Sequence, residues 1–209
     1  MTGRGFAHGP DRPLIEHSFL HLLEPKAAKV VSKIVIITRK EKILSLKEWL
    51  LHFSNENSFK IPVGFILHQP QEGQEWPLSV LASQALWADK NLVLLPDTQL
   101  MLPGLIEIFD EGLQDFETFW GTSHRKLSDA KTFGMIRQDF EKRLFVTEKP
   151  TAPAPSMTSA LVWGCFGFRK NVGATLLKSL EHSTHTHEEF QLPSPSGQIP
   201  LVGFEDLSR

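Results

Sequence analysis

The stretch Asn91-Leu92-Val93-Leu94-Leu95-Pro96-Asp97-Thr98 constrains the fold more than any other. Four apolar residues bounded by Lys90, Asn91 and Pro96 are too few for a helix. They read as a buried strand in a sheet covered on both faces. Lys33-Ile34-Val35-Ile36-Ile37-Thr38 is a β-branched run of the same kind, and Ile61–Leu67 is a third strand with Pro62 near its start. Helical spacing of apolar residues fills the intervals. Leu14–Leu23 is entered through Pro13, Glu41–Phe53 carries Leu46 and Leu50, Trp76–Trp87 opens with Pro77, and a further helix runs from Pro103 to about Glu111. Alternating strands and helices predict right-handed crossovers, with residues 33–38, 62–67 and 92–96 as parallel neighbours in one sheet.

The second half changes character. Phe116–Gly121, Thr132–Arg137, Arg143–Thr147 and Ala160–Phe168 are strand candidates with few helices between them, and Arg169–Leu180 is a helix. The expected fold is α/β: a mostly parallel, doubly wound, Rossmann-like sheet with a mixed or antiparallel extension, in a single domain over residues 1–209. Residues 1–13 form a glycine-rich loop remnant. Residues 181–200, rich in Pro and Ser, are expected to be a surface loop.

Composition narrows the functional classes. A formal charge of −2 argues against a basic nucleic-acid surface. No apolar run reaches the length of a bilayer span, and the N-terminus has no apolar signal core. The single cysteine, Cys165, leaves no internal disulfide and fits a cytoplasmic protein. It lies in the apolar run Leu161–Phe168, where a buried, inert thiol is expected. Trp49 and Trp87 lie on apolar helix faces and are expected in the core.

Three stretches carry polar groups suited to chemistry. Asp97 follows a buried strand, where open α/β sheets place their ligands, and a carboxylate there can hold Mg²⁺. It can equally start a turn or cap the helix after Pro103. Gly3, Gly5 and Gly9 with Asp11 and Arg12 punctuate a loop that leads into a helix, an arrangement able to bring backbone amides to phosphate, or simply a polar tail. Phe133-Gly134-Met135-Ile136, a polar turn, and Leu144–Thr147 ending in Glu148-Lys149-Pro150 form a hairpin that closes on a carboxylate and an ammonium. Such a pair can accept sugar hydroxyls and neutralise a phosphate, or can be an exposed ion pair of little energetic weight.

In order, Arg12-Pro13-Leu14-Ile15-Glu16-His17, Ile34-Val35-Ile36-Ile37, Leu92–Asp97, Phe133-Gly134-Met135-Ile136…Glu148-Lys149-Pro150 and Gly164-Cys165-Phe166-Gly167-Phe168 resemble the motifs of the sugar-phosphate nucleotidyltransferases. Members of that family join a nucleoside triphosphate to a sugar-1-phosphate and release pyrophosphate on a nucleotide-diphospho-sugar transferase fold. The resemblance implies that Asp97 ligates Mg²⁺, with Asp206 as a second ligand. It implies that Glu148 and Lys149 hold the sugar phosphate, while Gly134 and Gly164 let it approach the backbone. Gln69 corresponds to a glutamine that reads the base. Gly3 and Gly5 belong to the triphosphate loop, and Arg12 corresponds to a catalytic cation. The implied partners are a nucleoside triphosphate and a sugar-1-phosphate, without nucleic acid or membrane, in a chain that can form a homo-oligomer.

The departures are specific. The family's loop arginine falls on Phe6-Ala7-His8, Glu75-Trp76-Pro77 replaces a small-residue turn, and only Phe204-Glu205-Asp206 comes near the late metal motif. No strand precedes the glycine loop; an in-frame apolar strand encoded upstream of Met1 would mean that the true start lies earlier. Losing one cation from a preorganised site costs about two to four orders of magnitude, so slow turnover is expected. The alternative is a non-catalytic nucleotide- or nucleotide-sugar-binding homologue. A glycosyltransferase using a nucleotide sugar through Asp97 shares the metal logic, but Glu148-Lys149-Pro150 resembles the family that makes such sugars. His182, His185 and His187 match no zinc spacing and are expected to be solvated.

Overall fold

The computed structural model describes residues 13–96, 98–99, 102–123, 134–151, 159–201 and 205–206, of which 98–99, 159, 161–163 and 205–206 are described as backbone alone. In chain order the elements are α1 (Ile15–Leu20), α2 (Ala27–Val30), β1 (Ile34–Thr38), α3 (Ile43–Asn57), β2 (Val63–Leu67), α4 (Trp76–Leu81), β3 (Lys90–Leu94), β4 (Thr98–Gln99) and α5 (Leu105–Asp115). There follow β5 (Thr118–Ser123), β6 (Met135–Gln138), β7 (Leu144–Thr147), β8 (Ser159–Arg169), α6 (Lys170–Thr186), β9 (Phe190–Gln191), β10 (Ser196–Leu201) and β11 (Glu205–Asp206). The fold is mixed α/β.

β1 and β2 pair in parallel from Ile34 opposite Val63 to Thr38 opposite Leu67, as the alternation of elements predicts. The third expected neighbour differs. β3 belongs to the seven-stranded sheet and runs antiparallel to β8, with Lys90 opposite Arg169 and Leu94 opposite Cys165. Among the described residues no ladder joins β1 to β3, although Ile37 and Val93 pack on the same cluster. Strand–helix alternation fixes the crossovers but not the strand each one reaches. The partner of β3 lies about seventy positions away, beyond any periodicity in the sequence.

Eleven-residue β8 organises the larger sheet. Phe166 is opposite Trp120 of β5 and opposite Val93 of β3, so β5 and β3 lie on opposite edges of β8. Leu161 is opposite both Ser123 of β5 and Met135 of β6. β3 and β6 therefore share one edge of β8, end to end, with β3 running toward the start of β6. The core on this sheet is aromatic: Trp120 stacks on Phe166 at 4.8 Å between centroids, and Trp87 meets Phe168 edge-on at 4.9 Å. Offset and edge geometries favour the ring quadrupoles beyond simple burial. Cys165 is fully buried, and burial pushes its thiol well up, so it stays protonated as expected.

Residues 181–200 are not a surface loop. α6 continues to Thr186, and β10 pairs in parallel with β5, Ser196 opposite Thr118 and Leu201 opposite Ser123. Gly197 and Pro200 weaken the strand signal, but β10 is an edge strand, where Pro is tolerated. The helix expected over Trp76–Trp87 stops at Leu81. Ser83 explains the break: its hydroxyl donates to the Val80 carbonyl at 2.7 Å and accepts from Trp87 Nε1 at 2.9 Å, drawing the chain into a turn. Trp87 is buried as expected. Trp49 is half-buried, edge-on to Phe19, and donates to Glu16 Oε2 at 3.2 Å.

α6 lays Leu176, Leu177 and Leu180 into the aromatic core, and Gly173 sits against the rings. A methyl at Gly173 would lie 2.4 Å from Phe168 and 2.7 Å from Trp87. Gly173→Ala is therefore expected to destabilise by about 1–3 kcal/mol through overpacking, although alanine is the better helix former. Urea unfolding followed by tryptophan fluorescence checks this; an unchanged or raised midpoint would show that the rings move aside.

Candidate functional site

The end-to-end placement of β3 and β6 leaves a break in the ladder on one edge of β8 among the described residues. Leu95 N donates to the Gly164 carbonyl at 2.7 Å, continuing the β3 ladder by one step, while β6 starts opposite Leu161. Gly164 and Leu161 are three residue steps apart along β8, about 10 Å at strand rise. Gly164 thus marks the end of β3, and Gly134 precedes the start of β6. These are two of the sequence-predicted positions, brought to one gap by pairings from different parts of the chain.

The β6–β7 hairpin carries the others. Met135 is opposite Thr147, so the next step out sets Gly134 beside Glu148. A Cβ at Gly134 would lie 3.0 Å from Glu148 Oε1 and 3.4 Å from Oε2. The carboxyl group therefore lies over a bare backbone Cα. Glu148 is 6% exposed, and its pKa is pushed up to about 7 by burial, opposed by Lys149 and reinforced by Glu75. Desolvation disfavours the charged form, and the Glu75 carboxylate adds like-charge repulsion. Lys149 takes a left-handed backbone, φ 46°, which turns the chain sharply after the carboxylate.

The end of α6 holds this turn from behind. Glu148 N donates to Ser183 Oγ at 2.9 Å, and Ser183 Oγ donates on to the Glu188 carbonyl at 2.7 Å. His187, in the left-handed cap of α6, brings Nδ1 within 3.2 Å of the Glu148 carbonyl. The three histidines are thus paired separately: His182 with Glu188, His185 with Glu181, and His187 with the backbone. Among the described residues no group of three or more His, Cys, Asp or Glu could hold a metal. Sequence reasoning missed Ser183 and His187 as partners of the Glu148 backbone, and Glu75 as a charge acting on its carboxyl. Nothing in their spacing points to residue 148; the fold alone joins them.

Gln69 is exposed in the segment after β2. Gly3, Gly5, Arg12 and Asp97 lie outside the described residues. The Asp206 side chain does too, but its backbone is opposite Thr98, the residue after Asp97 in the chain, in the antiparallel β4–β11 ladder. Two shallow depressions of about 310 Å³ each flank Phe190 on the α6–β9 surface, and none of the sequence-predicted site residues lines either one. Among the described residues no helix is long and apolar enough to cross a membrane.

The sequence matches no established family profile and no curated protein. Its fold, however, is found among solved structures. A protein from Bacillus anthracis assigned as a glucose-1-phosphate thymidylyltransferase, in complex with a sucrose, matches over 97% of this chain and 80% of its own, with TM-score 0.68 and 15% identity. A UDP-glucose pyrophosphorylase complexed with UDP-glucose matches over 98% of this chain and 84% of its own, with TM-score 0.63 and 14% identity. An apo UDP-glucose pyrophosphorylase matches over 98% and 85%, with TM-score 0.64 and 15% identity.

Buried Glu148 sets a pH dependence of stability. The folded state keeps its proton up to about pH 7, while an unperturbed carboxyl loses it near 4.5. The folded state therefore binds more protons in that window, and stability falls as pH rises through it. Glu148→Gln should abolish this contribution, up to about 3 kcal/mol in favour of the variant above pH 7, shrinking as pH falls and vanishing below about pH 4. Thermal melts of both proteins from pH 5 to 8 check it; parallel curves would contradict a buried, proton-holding Glu148.

Proposed function

We propose that this chain, which has the fold of sugar-phosphate nucleotidyltransferases, joins a nucleoside triphosphate to a sugar-1-phosphate and releases pyrophosphate. The observation that carries the reading is the buried Glu148 carboxyl laid over Gly134 beside the break in the β8 ladder, with the chain turning sharply at Lys149. The Glu148 oxygens lie 3.0 and 3.4 Å from where a Cβ at Gly134 would stand, so the glycine is what lets the carboxyl take this position. Poised near neutrality, it can accept a sugar hydroxyl or donate to one.

In the reaction a sugar phosphate oxygen attacks the α-phosphorus of the triphosphate, and the bond to the β,γ-diphosphate breaks. Glu148 orients the sugar and Lys149 neutralises its phosphate. Gly164, at the end of β3, and Gly134 admit the phosphate close to the backbone. Gly3 and Gly5 lie along the triphosphate, Gln69 meets the base, and Arg12 neutralises the departing pyrophosphate. Asp97 and Asp206 would hold Mg²⁺. Two carboxylates suit a hard cation. When bound, the metal offsets phosphate charge.

One observation favours slow chemistry or a purely binding role. Trp76 packs edge-on to Phe166 at 5.5 Å, filling with an indole the position where the family has a small turn. The experiment is Mg²⁺-dependent pyrophosphate release with a panel of nucleoside triphosphates and sugar-1-phosphates. Slow turnover is expected, lost on chelation and lowered by about 10²-fold or more in Lys149→Ala. Nucleotide binding without turnover would establish the non-catalytic reading. Absence of both would refute a nucleotidyltransferase site.

A further inference from the structure

Lys149 holds a backbone conformation that its place in the chain disfavours. Its φ is 46°, in the left-handed region that a residue with a Cβ enters at a cost. Pro150 follows, and proline pushes the residue before it toward extended backbone at negative φ. Such an outlier persists only where surrounding groups over-determine it. Here those groups sit on one turn of α6. The buried Ser183 Oγ accepts from the Glu148 amide at 2.9 Å, and His187 Nδ1 lies 3.2 Å from the Glu148 carbonyl oxygen. Ser183 and His187 are themselves joined, since the His187 amide donates to the Ser183 carbonyl at 2.8 Å. Both backbone groups of Glu148 are thus gripped by residues one helical turn apart.

The Glu148 carbonyl belongs to the rigid peptide plane that leads into Lys149, and rotation of that plane sets φ at Lys149. A carbonyl only accepts, so Nδ1 of His187 carries a proton and donates. While this bond holds, the plane cannot turn over to the negative φ that lysine and the following proline favour. His187 caps α6 at φ 59°, a position that suits glycine, so the cap's backbone geometry does not call for an imidazole. The ring's polar contact is instead with residue 148. In the proposed reading, on which this inference rests, Lys149 neutralises the sugar phosphate. We infer that His187 is a positioning residue for that site: its Nδ1–H holds the Glu148–Lys149 peptide and so fixes where the Lys149 ammonium meets the phosphate. It acts through the backbone of the Glu-Lys pair, not on the substrate itself.

Two variants separate this role from that of a helix cap alone. His187→Gly keeps the left-handed cap and removes the ring, whereas His187→Asn tolerates the same backbone and sets an amide donor at the branch position of Nδ1. In calorimetric titration of the full chain with glucose-1-phosphate, the glycine variant is expected to bind about tenfold more weakly than the parent, and the asparagine variant within about threefold of it. Melting temperatures of both should stay within about 4 °C of the parent's. NMR of the His187 ring nitrogens in alkaline buffer, without ligand, should find the proton on Nδ1. A glycine variant that binds as the parent does, or that loses stability along with affinity, would overturn the inference and leave the nucleotidyltransferase reading standing. So would an affinity that asparagine does not restore, or a ring proton on Nε2. No binding by the parent would overturn that reading, and the inference with it.

Discussion

Everything in the larger sheet depends on β8 being long enough to take partners end to end on one edge. Eleven residues give room for β3 at the Cys165–Arg169 end and β6 at the Ser159–Leu161 end, while β5 runs along most of the other edge. A shorter strand would hold one or the other. The gap between β3 and β6 is therefore a consequence of backbone pairing, not of a loop that happens to lie open.

α6 couples that gap to the core. Its apolar face, Leu176, Leu177 and Leu180, is anchored in the Trp120–Phe166–Phe168 stack. Its last turn then presents Ser183 and His187 to the backbone of Glu148. One helix thus spends its first half on hydrophobic burial and its last turn on holding a strained, polar turn in place. The left-handed backbone at Lys149 and the desolvated carboxyl at Glu148 both cost free energy. Such costs concentrate at functional sites and are carried by the well-packed elements around them. The smaller β1–β2 layer packs separately around Phe19, Phe53 and Ile36, with Leu92 of β3 reaching into it.

Much of this was legible in the chain. The β-branched run at Ile34–Thr38 and the apolar residues of Val63–Leu67 are strands because their composition suits nothing else, and they pair in parallel because a helix, α3, separates them. The Gly134…Glu148-Lys149 hairpin was legible as well: strand, polar turn and strand are local, and register follows from the turn. Its neighbours were not. Ser183 and His187 come to Glu148 across as many as 39 residues, and no period or motif encodes such a meeting. The stretch 181–200 misled for the same reason: Ser-Pro-Ser-Gly is turn chemistry on its own, and becomes strand only because β5 offers an unpaired edge.

The sequence by itself determined the α/β character, the positions of the apolar strands and the local pairing of a carboxylate with a lysine, because propensity and hydrophobic period act over a few residues. Tertiary structure alone decided which edge of β8 each strand takes, where the ladder along that edge breaks, and that Glu148 is buried rather than solvated. Those outcomes depend on long-range ladders and on desolvation, which arises only once the surrounding elements have packed and excluded water.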